Sequence, residues 1–202
     1  MKEHFTPTQQ FIFWIKSRIL TLRRYVQNLL SPVPYHKKAS DHSITVLHEI
    51  RTPLYTETNP DELGLQLGKI ENLRVAARTL DQIAVKNGEI FSFWRQIGRP
   101  TRAKGFVTGR ELRQGCLIPT IAGGICQLSN SLYQVAKRSG MEIIERHGHT
   151  QQIEGAVFKA GEDATVFWNY VDLRFRTTQD VILLVKLTQD ELIIQLGAVR
   201  GG

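Results

Sequence analysis

Cysteine is scarce in this chain: two of 202 residues, Cys116 and Cys126. So small a number excludes a disulfide-stapled extracellular framework and a four-cysteine zinc site. Long apolar runs are missing too. A membrane-spanning helix needs about 20 consecutive apolar residues, and the best candidate, Phe11 to Ile15, is stopped by Lys16 and Arg18. No internal repeat or low-complexity tract is present. Acidic residues are nearly absent from the start of the chain. Residues 1–38 hold Lys2, Lys16, Arg18, Arg23, Arg24, Lys37 and Lys38 against Glu3 alone, so six of the seven net positive charges sit there. The remainder is nearly neutral and contains no recognisable nucleic-acid-binding module, which argues against a nucleic-acid partner. With 42% hydrophobic and 22% charged residues, the chain has the composition of an ordinary globular protein, long enough for one domain with a core and an appendage.

The basic segment, residues 1–34, is expected to be one amphipathic helix. Thr6-Pro7-Thr8-Gln9 has the form of a capping box with proline at the first helical position, and Ser31-Pro32-Val33-Pro34 stops it. Ile12, Ile15, Ile19, Leu22, Val26, Leu29 and Leu30 recur at three- and four-residue steps, with Lys16, Arg23 and Arg24 on another face. Such a helix can pack its apolar face on the domain, lie on an anionic membrane surface, or dock a partner. No small-residue cleavage site follows, so a secretory signal is not expected. The expected location is cytoplasmic, or peripheral at the inner face of the membrane.

Residues 35–46 read as a polar linker, and residues 47–202 as one mixed domain. Within it the pattern predicts a short strand over 43–50, a helix opening at Asn59-Pro60-Asp61-Glu62, a turn at Asn87-Gly88-Glu89 and a strand over Ile90 to Trp94. Loops with short strands are expected over 99–124, where glycine is frequent. A central helix is expected from Cys126 to Arg138, ending at Gly140. Further strands are predicted over 141–149 and within 163–176, and a hairpin over 181–187 and 192–196. The expected class is α+β: an N-terminal helix, then a mixed domain with a glycine-rich loop, a central helix and antiparallel strands.

The segment richest in chemistry is Gly123-Gly124-Ile125-Cys126-Gln127-Leu128-Ser129-Asn130. A cysteine at a helix start is exposed to unpaired N–H groups and the positive end of the dipole, which lower a thiol pKa. Gln127 could donate to an oxyanion. Further on, Glu145-Arg146-His147-Gly148-His149 would, as a strand, turn His147 and His149 to one face. A Cys–His contact then follows, with Asp163 or Asp172 orienting the ring. Two other readings compete. Free cysteine is often plain packing, and His-x-His on a strand can ligate a metal with Cys126 or an aspartate as third ligand.

These residues stand in a series that resembles the VanW-like family over about 47–182. Asn72-Leu73-Arg74-Val75-Ala76, Gly88-Glu89-Ile90-Phe91-Ser92-Phe93-Trp94, Gly98-Arg99-Pro100-Thr101 and Lys104-Gly105-Phe106 lead to the Gly-Gly-x-Cys-Gln-x-Ser motif at 123–129. Glu145-Arg146-His147-Gly148-His149-Thr150, Asp163-Ala164-Thr165-Val166 and Asp172-Leu173-Arg174-Phe175 complete the order. Ala122 and Thr150 depart from the family's usual glycine and serine.

The resemblance implies a link to glycopeptide resistance and to the cell envelope. By analogy of chain order with papain-like and transglutaminase-like enzymes, it also implies a thiol hydrolase or acyl transferase acting on a peptide-containing envelope precursor. In that reading Cys126 is the nucleophile, His149 or His147 the base, Asp163 or Asp172 the orienting group and Gln127 the oxyanion donor. Gly123, Gly124, Ser129 and Arg146 would bind substrate, and neither metal nor cofactor is required. The competing expectation is a non-catalytic domain that binds such a precursor, or a protein partner, through Arg146 and the glycine-rich loop.

Overall fold

Every strand pair is antiparallel, and the principal sheet is assembled from both ends of the described body. A computed structural model describes residues 7–39, 44–56, 62–113, 116–148 and 161–199. Its sheet of four strands has the order β1 (Ile44–Pro53), β9 (Glu191–Val199), β8 (Val181–Leu187), β2 (Ile83–Val85). β8 and β9 form the expected C-terminal hairpin, with Val185 opposite Ile194, and β1 adds to the outer side of β9 with Ile50 opposite Ile194. The run Val181-Ile182-Leu183-Leu184-Val185 is buried on both faces.

Two helices complete this core. α2 (Leu63–Leu80) lies against β8 and the hairpin β4–β5 (Thr108–Arg113 and Cys116–Ile121), and α4 (Cys126–Arg138) against β1 and β9. α4 keeps the bounds expected from its sequence. Asn72 of α2 is fully buried and spends its amide on backbone alone: Nδ2 donates to Val107 O (3.1 Å) and Gly123 O (3.0 Å), while Oδ1 accepts from Val107 N–H (2.9 Å). One side chain thus ties helix, hairpin and glycine turn together. The asparagine of the Asn72-Leu73-Arg74 motif is a clamp.

A second sheet has the order β3 (Ile90–Ser92), β7 (Arg174–Arg176), β6 (Glu142–Glu145). The strand expected to run to Trp94 stops at Ser92, because the Ser92 hydroxyl accepts the Arg95 N–H (3.1 Å) and caps a short helix, α3 (Phe93–Ile97). The strand expected over 141–149 ends at Glu145, where Arg146 turns away toward Asp163. Most of 163–173 is irregular rather than strand.

The N-terminal helix, α1 (Pro7–Leu30), forms as expected, but its orientation reverses the simple packing expectation. Ser17, Thr21, Arg24 and Asn28 are its least exposed side chains, and they share one stripe at steps of four, three and four residues. Arg24 Nη1 donates to Glu145 Oε2 (2.7 Å) and Nη2 to Tyr170 O (2.9 Å), while Arg174 Nη2 donates to Asn28 Oδ1 (2.8 Å). The helix therefore docks by polar contacts and one aromatic pair, Phe13 edge to face with Phe167 (ring centres 6.1 Å apart), and leaves its main apolar stripe outward. The segment read as a linker is anchored over 36–39. His36 exchanges hydrogen bonds with Gln96, and Ala39 N–H donates to Gln82 O. Among the described residues no helix is long and apolar enough to cross a membrane.

Candidate functional site

The turn before α4 is shaped by packing. A Cβ on Gly123 would lie 2.3 Å from Gly109 O, and one on Gly124, where φ is +90°, would meet the Lys69 side chain at 2.1 Å. Both glycines, expected to bind substrate, are needed for close approach of the hairpin and of α2.

Cys126 opens α4 as expected, and the described groups beside its sulfur are neutral. Its side chain is half-buried, with Sγ 3.4 Å from Thr165 Oγ1 and 3.7 Å from Val166 O. Burial pushes the thiol up from its ordinary value, and the hydrogen bonds to Thr165 and Val166 only partly pull it back. Among the described residues a hydroxyl and a carbonyl, and no cation, face the sulfur, so desolvation sets the direction of the shift.

The motif serine, asparagine and arginine around it hold residues 163 and 164. Ser129 Oγ donates to Ala164 O (2.5 Å), and Asn130 Oδ1 accepts from Ala164 N–H (2.6 Å). Arg146 Nε donates to Asp163 O (2.6 Å) and Nη2 to Asp163 Oδ1 (3.3 Å), while its guanidinium lies 5.2 Å from the Tyr133 ring centre. Thr165 N–H donates to His147 O (2.7 Å). Cys126, Ser129, Arg146 and Asp163 are thus brought to one neighbourhood. Ser129 and Arg146 are engaged in holding its backbone, and the Asp163 carboxylate receives Arg146.

The other candidates lie elsewhere. Gln127 points to β1, its Nε2 donating to Thr52 Oγ1 and Pro53 O (both 2.9 Å), so its amide is spent on the sheet. Asp172 is buried in a different network: it accepts from Ser92 Oγ (2.6 Å), Trp94 N–H (3.1 Å), Leu173 N–H (3.0 Å) and Arg174 Nε (2.8 Å). It fixes α3 and β7. His147 is exposed, with Nε2 3.1 Å from Glu145 Oε1. His149 and Thr150 lie outside the described residues.

Three features were not singled out in the sequence. The first is a cavity of about 280 Å³ between α1 and the body, whose lining includes Asn28, Trp94, Arg95, Trp168, Asn169 and Asp172. The two indoles meet edge to face, centres 5.4 Å apart. Trp94 Nε1 is held by Val171 O (2.8 Å), and the exposed Arg95 donates through Nε to Val33 O (3.1 Å). The signal was there to use: two of only three tryptophans flank motif segments. The second is Glu145, which receives Arg24, the Asp172 N–H and His147. Burial raises its carboxyl, but those donors outweigh burial and hold it below the ordinary carboxylate range. The third is Lys69, buried beside Gly124 with Nζ 3.2 Å from Thr56 Oγ1. Burial, with the Arg110 charge adding to it, lowers this lysine to about 8.

A family model described as VanW like protein matches residues 68–196. The chain is 30% identical over 155 residues to the vancomycin B-type resistance protein VanW of Enterococcus faecalis, covering 72% of this chain and 54% of that one. It is 33% identical over 127 residues to the uncharacterized protein YoaR of Bacillus subtilis, covering 62% of this chain and 41% of that one. The chain thus spans about half the length of these curated relatives or less. No solved structure matches it significantly.

Proposed function

This chain belongs to the VanW-like family, a family linked to vancomycin resistance, and we propose that it binds a peptide-containing precursor of the cell envelope without transforming it. The observation that supports this reading is the cavity under α1, with its facing Trp94 and Trp168 and the exposed Arg95 beside it. Indole faces and edges take up sugar rings and apolar side chains. Asn28 and Asn169 supply amides that fix orientation, and an exposed guanidinium suits a carboxylate. The polar motif residues that would otherwise argue for catalysis have structural partners, and burial favours the protonated thiol of Cys126. In this reading the protein acts at the inner face of the membrane, beside the precursor pool.

The test is a titration with a soluble muropeptide, read by tryptophan emission and by calorimetry. Saturable binding, weakened at least tenfold by Trp168→Ala and several-fold by Arg95→Gln, is the expected result. No saturable signal in either measurement would refute it.

A second reading keeps a thiol hydrolase or acyl transferase. It is supported by Thr165, whose N–H is bonded to His147 O while its hydroxyl stands 3.4 Å from Cys126 Sγ. The segment leading to His149 therefore departs from beside the thiol. This reading requires a reactive thiolate near neutral pH, and the two readings separate on that measurement.

A further inference from the structure

The outward side of α1 has no protein partner among the described residues, and its chemistry is unusual for an exposed surface. Ile12, Ile15, Ile19, Leu22, Val26 and Leu29 are all exposed, Ile19, Leu22 and Leu29 by 62%, 64% and 64%. At about 100° per residue they form one stripe on the side of the helix opposite Ser17, Thr21, Arg24 and Asn28. Lys16 and Arg23 border that stripe along one margin and Arg18 along the other, and all three are exposed. The helix contains no acidic residue. A helix that merely packed on its domain would turn the stripe inward. Here a polar stripe is inward, tied by Arg24 to Glu145 and by Asn28 to Arg174, so the apolar stripe is held outward.

We propose that this face docks on an anionic lipid surface, with the apolar stripe sunk among the acyl chains and Lys16, Arg18 and Arg23 among the headgroups. Two observations favour lipid over a second copy of the chain. Cations border both margins with no acid on the helix to pair with them across a symmetric helix–helix contact. The width of the stripe, flanked by Lys16 and Arg23 on one side and by Arg18 with the exposed Trp14 and Tyr25 on the other, also matches a helix lying in an interface plane rather than a narrow coiled-coil seam. The long axis of α1 then lies in the membrane plane. The cavity under α1, which Asn28 helps to line, is held next to the surface.

The experiment is flotation of the full chain with vesicles of phosphatidylcholine alone or with phosphatidylglycerol added, with no other ligand present. Binding is expected only where phosphatidylglycerol is present, and it should weaken as salt rises from about 0.1 to 1 M, where the screening length falls from about 10 Å to 3 Å. Ile19→Glu combined with Val26→Glu should abolish it. Neutralising Lys16, Arg18 and Arg23 to glutamine, which touches no packed residue, should lower it by on the order of a hundredfold. Circular dichroism of each variant confirms the fold. The proposal fails if the native chain ignores anionic vesicles, if both variants bind as it does, or if sedimentation shows a dimer that the glutamate variant dissolves while vesicle binding is nil.

Discussion

Arg24 and Glu145, 121 residues apart in the chain, meet through two hydrogen bonds from one guanidinium to both oxygens of one carboxylate. The pair joins the N-terminal helix to the edge strand of the second sheet, and both side chains are largely buried. Removing one member leaves the other charge desolvated and unpaired, which costs about 3 kcal/mol. Arg24→Met and Glu145→Gln should each lower stability by roughly that amount, and the double variant by clearly less than the sum. Urea unfolding of the four proteins measures the coupling.

Acid should act through the same carboxylate. The folded state holds Glu145 below its ordinary value of 4.5. Its contribution is therefore fully present above about pH 4.5 and is lost as pH falls through the folded value, because the unfolded chain takes up the proton first. Native protein should lose stability on acidification more steeply than Glu145→Gln. Parallel curves would contradict the assignment.

Lys69 titrates in the opposite sense. A folded value of about 8 against the ordinary 10.5 means that burial of its charge costs about 3 kcal/mol below pH 8. Between about 8 and 10.5 the unfolded chain binds the extra proton, so stability should rise with pH across that window. Lys69→Met should be more stable than the native protein at pH 7, with an advantage that shrinks to nothing by about pH 10.5. Thermal unfolding at three pH values checks this.

Asn72 should be intolerant of change. Asn72→Ala strands two carbonyls and an N–H in the core, a loss of roughly 2–4 kcal/mol. Asn72→Asp, nearly isosteric, should be no better, because it cannot donate to Val107 O and Gly123 O. A mild effect of the aspartate variant in urea unfolding would show that those donations are dispensable.

The thiol gives the sharpest division between the two functional readings. In a Cys116→Ser background, alkylation of Cys126 should remain slow at neutral pH and accelerate only above about 9, its ordinary value. Rapid alkylation below pH 7, abolished by His149→Ala, would instead establish a poised Cys–His pair and favour the enzymatic reading.

Much of the fold is legible in the residues themselves. α1, α4 and the β8–β9 hairpin follow from caps, helical periodicity and apolar runs bounded by turns, all of which are local. The failures have a common origin in polar groups whose partners are distant in sequence. Phe93 and Trp94 read as strand residues until Ser92, the last residue of β3, caps α3 with a hydroxyl that Asp172 holds at 2.6 Å. Arg146 reads as strand until it meets Asp163. Asn72, Ser129, Asn130 and Asp172 each hold backbone through partners that the sequence alone leaves unseen. The direction of α1 was hidden for the same reason. Its apolar periodicity is plain, but the polar stripe that faces the protein is recognisable only once Glu145 and Arg174 are in place.

The position of β9 bears on how the protein is made. β9 lies between β1 and β8 in the sheet, although residues 191–199 leave the ribosome long after β1 does. Until they emerge, the earliest strand of the sheet has no neighbour, and its exposed edge must wait, open to mispairing, while α2, the β4–β5 hairpin and α4 form. Closure of the sheet is therefore a late event in biogenesis, and a nascent chain cut short before residue 191 should be a client of chaperones and proteases rather than a smaller version of the domain.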